Sequence, residues 1–118
     1  MPFEDIPSRL EDILDAIKDI EDFVSGKSFD DYRRDTMLRL AIERCVEIIS
    51  EASRHVPADI KAKHPEVPWQ NVADIGNVLR HVYRSIDLHI MWEVATRHTI
   101  TLRAAVEQML RQIEPEED

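Results

Sequence analysis

Apolar residues recur every three or four positions along most of this 118-residue chain, and that spacing is the strongest constraint on its fold. It matches the 3.6-residue turn of an α-helix, and no segment shows the two-residue alternation of a half-buried strand. Only two glycines interrupt the pattern, and no internal repeat is visible. The sequence therefore predicts an all-α fold, a bundle of about five amphipathic helices joined by short loops.

The first predicted helix runs from about residue 8 to residue 24. Ser8 followed three positions later by Glu11 matches a capping box, in which two side chains satisfy free backbone N–H groups of the first turn. Gly26 ends this helix, because glycine readily adopts the left-handed conformation that often follows a helix C-terminus.

The second predicted helix is capped by Ser28 or Asp30 and continues without Gly or Pro until Pro57. One apolar stripe on it consists of Leu38, Ala41, Ile42, Cys45, Ile49, Ala52 and Val56. Four further apolar residues lie outside the centre of that stripe, namely Met37, Leu40, Val46 and Ile48. An apolar surface of this width indicates that the helix is covered by several neighbours or by a second subunit.

Three prolines bracket a polar connection, AKHPEVP, which predicts a loop. A third helix starts near Pro68 or Trp69, because proline is tolerated in the first helical turn. Asp87 can cap a fourth helix, and Thr99 or Thr101 can open a fifth.

Length and composition limit the classes of protein that fit. The size suits a single domain, 1–118, with an acidic tail at 113–118. No apolar run approaches the roughly 18 residues of a membrane span, and the first residues lack a secretory signal, so we expect a cytoplasmic location. The single Cys45 allows no internal disulfide, and no Cys/His cluster suggests zinc, so we expect neither metal nor cofactor.

The formal net charge of −9 argues against an extended nucleic-acid interface, because neutralising phosphates requires clustered Lys and Arg. Any contact with RNA must therefore be local.

One face of the third predicted helix is polar and titratable. Its residues, Gln70, Asp74, Asn77, His81 and Arg84, fall within about 80° of one another at 3.6 residues per turn. A solvated helix face has this composition, since polar stripes are normal on surface helices. The alternative is an acid/base site around the His81 imidazole, whose ordinary pKa lies near neutrality.

The segment WQNVADIGNVLRHVYRSID resembles the signature of the HepT-type HEPN ribonucleases. In that signature a helix carries Arg-Asn, three further residues and His-x-Tyr, followed shortly by an acidic residue. Asn77, His81, Tyr83 and Asp87 occupy the last four of those places here. The ordered agreement is more specific than an isolated Arg/His spacing.

The resemblance covers about residues 8–113. IEDFVSGKSFDDY is similar to the family's first helix and following turn, and AIERCVEIISEA is similar to its second helix. The family's second helix commonly ends in Ile-Gly-Glu-Ala, where this chain has serine at the glycine position, Ser50.

Membership of this family would imply a prokaryotic toxin–antitoxin system. The HEPN-type bundle would form a homodimer that cleaves RNA without metal. A MntA-like nucleotidyltransferase antitoxin would silence it by transferring AMP to Tyr83. The rival interpretation is a catalytically inactive HEPN-fold interaction module that still binds a nucleotidyltransferase partner.

The chain departs from the family motif at one position. The family's Arg-x4-His motif places an arginine five residues before the histidine, and Gly76 stands there instead. Arg80 lies one turn later and about 40° around the helix, and helical side chains lean towards the N-terminus, so its guanidinium could fold back over Gly76. The alternative is that Gly76 permits close helix packing.

The predicted catalytic residues are His81, Asn77 and Arg80. Cleavage of RNA without metal needs a base for the ribose 2′-OH, an acid for the leaving 5′-oxygen and a cation near the phosphorane oxygens. His81 could serve as base or acid and Arg80 as the cation, with Arg84 as a second candidate. Asn77 could orient the imidazole or donate a hydrogen bond to phosphate.

Overall fold

The computed structural model describes residues 5–81 and 87–113. Seven α-helices occur in these ranges: α1 (Ile6–Val24), α2 (Phe29–Arg34), α3 (Thr36–Ser53), α4 (Ala58–Lys61), α5 (Trp69–His81), α6 (Leu88–Glu93) and α7 (Thr99–Ile113). A π-helical turn, Val94–His98, joins α6 to α7. No strand occurs in the described ranges, and the all-α prediction is confirmed. Tyr83, Arg84 and the tail beyond residue 113 lie outside the described residues.

Helix α3 is the centre of the bundle. It packs against α1 on one side and α5 on another, and α1 in turn packs against α7. The fully buried apolar side chains of these helices include Leu10, Ile13, Ile17, Ile20, Ile42, Val106 and Met109. Burying each of them stabilises the fold by about 1.5–3 kcal/mol. Because these residues lie on α1, α3 and α7, those three helices form most of the hydrophobic core, and α5 lies at its edge.

The predicted start of α1 was wrong in detail. Asp5 caps the helix by accepting a hydrogen bond from the Ser8 backbone N–H at 3.2 Å. Ser8 therefore lies inside the first turn and does not cap it. Pro7 fits ahead of it because the first turn of a helix leaves backbone N–H groups unused.

The second predicted helix is not continuous. It breaks at Asp35, whose backbone is extended and whose carboxylate accepts a hydrogen bond from the Leu38 N–H at 3.1 Å. An aspartate can offer the backbone this local alternative to helix, and it caps a new helix when it does so. Ser28, one of the two predicted caps, begins α2 and forms a capping box with Asp31.

The last two predicted helices are joined by a π-helical turn without a break in the helical chain. Asp87 caps α6 as predicted, accepting hydrogen bonds from two backbone N–H groups. Thr99 does not cap a helix, because its hydroxyl donates to the Ala95 carbonyl at 3.2 Å, just as Thr96 donates to Trp92 at 2.7 Å. These bonds accompany a π turn, so the chain stays helical where we predicted a break.

The apolar residues of α3 outside its central stripe are partly buried in the core and partly exposed. Val46 is 2% exposed and belongs to the core, facing the cleft between α5 and α7. Met37 and Leu40 are 82% and 59% exposed in the single chain. The wide stripe therefore reflects an additional neighbour at Val46, and it leaves an uncovered apolar patch at the beginning of α3.

The described helices contain no segment long and apolar enough to cross a membrane.

Candidate functional site

Helix α5 begins at Trp69, as predicted, and its polar face points to solvent. The Trp69 indole N–H donates to the His64 carbonyl at 3.1 Å, which ties the preceding loop to the helix start. Leu79 and Gly76 face α3 and are buried. The described members of the predicted polar face, Gln70, Asp74, Asn77 and His81, are all exposed. The buried and polar sides of α5 thus fall where the sequence pattern predicts.

Gly76 lies against Ser50 of α3. A Cβ at this position would lie 2.5 Å from Ser50 Oγ, closer than real atoms pack. The Gly76 N–H donates to Ser50 Oγ at 3.1 Å, and the Ser50 hydroxyl donates to the Ala73 carbonyl at 2.9 Å. Close helix packing, one of the two explanations for a glycine here, is therefore present in the structure.

Arg80 also lies over Gly76. Its Nη1 atom is 3.4 Å from the position that a Gly76 Cβ would take, and its Nη2 atom donates to Asn77 Oδ1 at 2.7 Å. The guanidinium has folded back by one turn towards the helix N-terminus, which is the direction that helical side chains favour. The two explanations for Gly76 are compatible, because Ser50 approaches its backbone while Arg80 occupies the space beside it.

A charged cleft opens beside the Arg80 side chain, between α1, α3 and α5. It has a volume of about 240 Å³, and its charged residues are Arg9, Asp12, Arg44, Glu47, Glu51 and Arg80. Three guanidinium groups face three carboxylates, so the cleft has no excess of positive charge. This balance argues against an extended polyanion track along the cleft, because neutralising phosphates requires an excess of Lys and Arg.

Arg9 and Arg44 were not predicted as site residues. They lie on two other helices, far from the signature segment, and no spacing within one helix connects them to Arg80. The Glu51 carboxylate contacts the His55 imidazole at 3.2 Å. It also lines the charged cleft.

His81 ends the described part of α5 and is exposed. Within residues 5–81 and 87–113, no group forms a hydrogen bond to its imidazole. The Asn77 carbonyl oxygen accepts from Arg80, so the Asn77 amide does not use that oxygen to orient His81. The structure therefore joins Asn77 to Arg80 and leaves His81 separate at the helix end.

Among the residues that the structure describes, no group of three or more His, Cys, Asp or Glu side chains is arranged to hold a metal ion.

Comparison with protein-family models matches most of this helical chain to one family. The family model described as "Ribonuclease HepT-like" matches residues 13–109. The chain belongs to this HepT-like family.

Curated relatives extend over nearly the whole chain. "Probable ribonuclease HepT" of Thermococcus cleftensis is 36% identical over 100 residues, which are 85% of this chain and 91% of the relative. A "Putative RNase" of Methanocaldococcus jannaschii is 33% identical over 118 residues, 100% of this chain and 98% of the relative. No solved structure is significantly similar to the chain.

Proposed function

We propose that this protein is a metal-independent endoribonuclease, the toxin of a HepT/MntA-like toxin–antitoxin system. The observation that carries the proposal is the position of Arg80. Its guanidinium lies over Gly76, the place where the family motif has its arginine, and it is held there by Asn77. The family match and the ribonuclease names of the relatives support RNA as the substrate.

The proposed reaction is transesterification within the RNA chain. The ribose 2′-oxygen gives its proton to a base and attacks the adjacent phosphorus, the bond to the 5′-oxygen breaks, and that oxygen receives a proton from an acid. The products are a 2′,3′-cyclic phosphate and a free 5′-hydroxyl. The Arg80 guanidinium stabilises the charge that develops on the phosphorane oxygens. The Nδ2 group of Asn77 donates a hydrogen bond to the same phosphate.

His81 performs one of the two proton transfers, because an imidazole ring can either accept or donate a proton. The second transfer needs another group, and none of the described residues forms a hydrogen bond with the His81 imidazole. We therefore propose a homodimer in which the histidines of two facing copies serve as base and acid. The exposed Met37 and Leu40 on α3 support this assembly, since burying them would remove an unpaired apolar patch from water.

We further propose that a MntA-like nucleotidyltransferase partner silences the enzyme by adding AMP to Tyr83. The support is the His-x-Tyr order of the signature. An AMP group linked two residues after His81 would place a phosphodiester anion and a nucleoside near the site, and both would oppose the approach of RNA phosphate.

The second candidate function is a catalytically inactive module that binds the nucleotidyltransferase. Gly76 favours it, because the motif arginine is missing from its own position. This candidate keeps the fold and the partner surface and predicts no RNA cleavage.

Incubation of the purified protein with RNA in the presence of a chelator decides between the two candidates. The ribonuclease should cut, and His81→Ala should abolish cutting while unfolding at nearly the natural temperature, because an exposed residue leaves no cavity. His98→Ala is the matched control, since His98 is also exposed but lies on the π turn. Absence of cleavage by the natural protein would favour the inactive module.

A further inference from the structure

Ser50 is a buried serine at the contact between α3 and α5. Its side chain is 1% exposed, and its hydroxyl bonds the backbone of α5 at two points, the Ala73 carbonyl and the Gly76 N–H. The Ala73 carbonyl and the Gly76 N–H lie inside α5, where backbone groups normally bond to neighbouring turns of the same helix. Ser50 therefore binds the helix itself and does not cap one of its ends.

The same contact has a second polar link. Arg54, one turn after Ser50, donates from Nη2 to the Ala73 carbonyl at 2.7 Å. We call Ser50, Arg54, Ala73 and Gly76 together the α3–α5 latch. Because the latch bonds fixed backbone atoms, it determines both the rotation of α5 about its axis and its position along α3.

The latch also determines what can occupy position 76. The Ser50 Oγ and Cβ atoms would lie 2.5 Å and 3.0 Å from any Cβ built there, so a residue other than glycine would require the Ser50 side chain or one of the two helices to shift. The space beside Gly76 is left to Arg80, whose Nη1 lies at ordinary contact distance, 3.4 Å, from the same point.

We propose that Ser50 is a positioning residue for the candidate ribonuclease site. By holding α5 against α3, it places the Arg80 guanidinium, which pairs with Asn77 on the same helix, at the charged cleft between α1, α3 and α5. Ser50 does not touch the substrate in this arrangement and acts through α5. The functional part of this inference rests on the proposed ribonuclease activity, whereas the positional part concerns Arg80 alone.

The test is Ser50→Ala, with Ser53→Ala as the matched control. Ser53 lies one turn further on the same helix and is equally buried, but its hydroxyl donates to the Ser50 carbonyl within α3. Both variants lose one buried hydroxyl and one or two hydrogen bonds. Only Ser50→Ala removes hydrogen bonds between α3 and α5.

In Ser50→Ala we expect kcat for RNA cleavage to fall by about tenfold to a hundredfold with KM changed less than about threefold, because a catalytic group displaced by about 1 Å loses rate before it loses binding. Ser53→Ala should keep kcat within about twofold of the natural protein. Equal losses of kcat in the two variants would overturn the positioning role and leave only a structural one.

A second measurement does not depend on activity. The side-chain Nε–Hε resonance of Arg80 in nuclear magnetic resonance spectra should shift in Ser50→Ala and stay in place in Ser53→Ala. An unchanged resonance in Ser50→Ala would overturn the inference even in an active enzyme. If the Arg80 resonance shifts in Ser50→Ala and the natural protein cuts no RNA, the latch is supported and the proposed function is rejected. If Ser50→Ala does not fold, Ser50→Cys, which enlarges the side chain slightly and weakens the hydrogen bonds, takes its place with the same expected results.

Discussion

Arg80 Nη2 and Asn77 Oδ1 lie 2.7 Å apart, so the guanidinium and the amide form one hydrogen-bonded pair on the exposed face of α5. Because the bond uses the Asn77 oxygen, the amide nitrogen is the part of Asn77 that can meet a phosphate. A cation and a neutral donor are thus presented side by side, and the loss of either should disturb the other.

Arg80→Ala should lower RNA cleavage by about a hundredfold or more, the loss typical of removing one preorganised electrostatic donor from an active site. Stability should change by less than about 0.5 kcal/mol, because Arg80 is exposed. Single-turnover cleavage assays measure the first effect and denaturant titration the second. Arg111→Ala, on the last turn of α7, is the control. Equal cleavage by Arg80→Ala would reject the stand-in role, and Arg84 would be the next cation to remove.

Gly76→Arg restores the family motif, but we expect it to destabilise the protein by about 1–3 kcal/mol, because its Cβ meets Ser50 Oγ. In a Ser50→Gly background, Gly76→Arg should cost at least about 1 kcal/mol less than it does in the natural protein, since the opposing side chain is gone. Denaturant unfolding of the two single variants and the double variant measures the coupling. Additive effects would mean that the two positions do not compete for one space.

A dimer should sediment at about twice the 13.8 kDa of the chain at micromolar concentration. Met37→Asp should shift the protein towards monomer if the exposed start of α3 forms the interface, because a carboxylate cannot be buried there without a partner. Ile100→Asp, at an exposed apolar residue on α7, is the matched control. A natural protein that sediments as a monomer would remove the two-histidine mechanism.

Tyr83→Phe should abolish the AMP increments that intact-mass spectrometry detects after incubation with ATP and the cognate nucleotidyltransferase. Tyr32→Phe should leave them unchanged, because the Tyr32 side chain is fully buried between α3 and α6 and cannot reach a second enzyme. Increments that persist in Tyr83→Phe would place the acceptor elsewhere.

Tyr32 also gives the fold a pH dependence. Burial raises the pKa of its hydroxyl to about 12, above the ordinary value of 10.0, so the folded state favours the neutral phenol. The resulting stabilisation is fully present below pH 10 and is lost as the pH rises from 10 towards 12. The free energy of unfolding should fall over this range in the natural protein and fall less in Tyr32→Phe. Parallel curves for the two proteins would contradict the assignment.

The helices of this protein were largely predictable, because amphipathic spacing is a local signal. The wrongly predicted helix boundaries also have local causes. Asp35 and Thr99 can each either start a helix or bond within one, and only the surrounding packing decides which. For Asp35 the structure shows a cap and for Thr99 a bond to the preceding turn.

The site was predictable only along α5. Asn77, Arg80 and His81 follow from one segment, and the backward fold of Arg80 follows from helix geometry. Arg9, Arg44 and the role of Ser50 depend on how α1 and α3 lie against α5, a relationship between distant segments that no spacing in the sequence encodes.

The contact between Ser50 and Gly76 also restricts the order in which substitutions can accumulate. With serine at position 50, a Cβ at position 76 would lie 2.5 Å from its Oγ, whereas a glycine at position 50 has no side chain to oppose it, so we expect serine at 50 to disfavour any residue but glycine at 76. Starting from the family's glycine–arginine combination, the arginine must be lost before the serine is gained. Relatives that carry serine and arginine together at these two positions should therefore be absent, unless their α3 and α5 helices lie further apart.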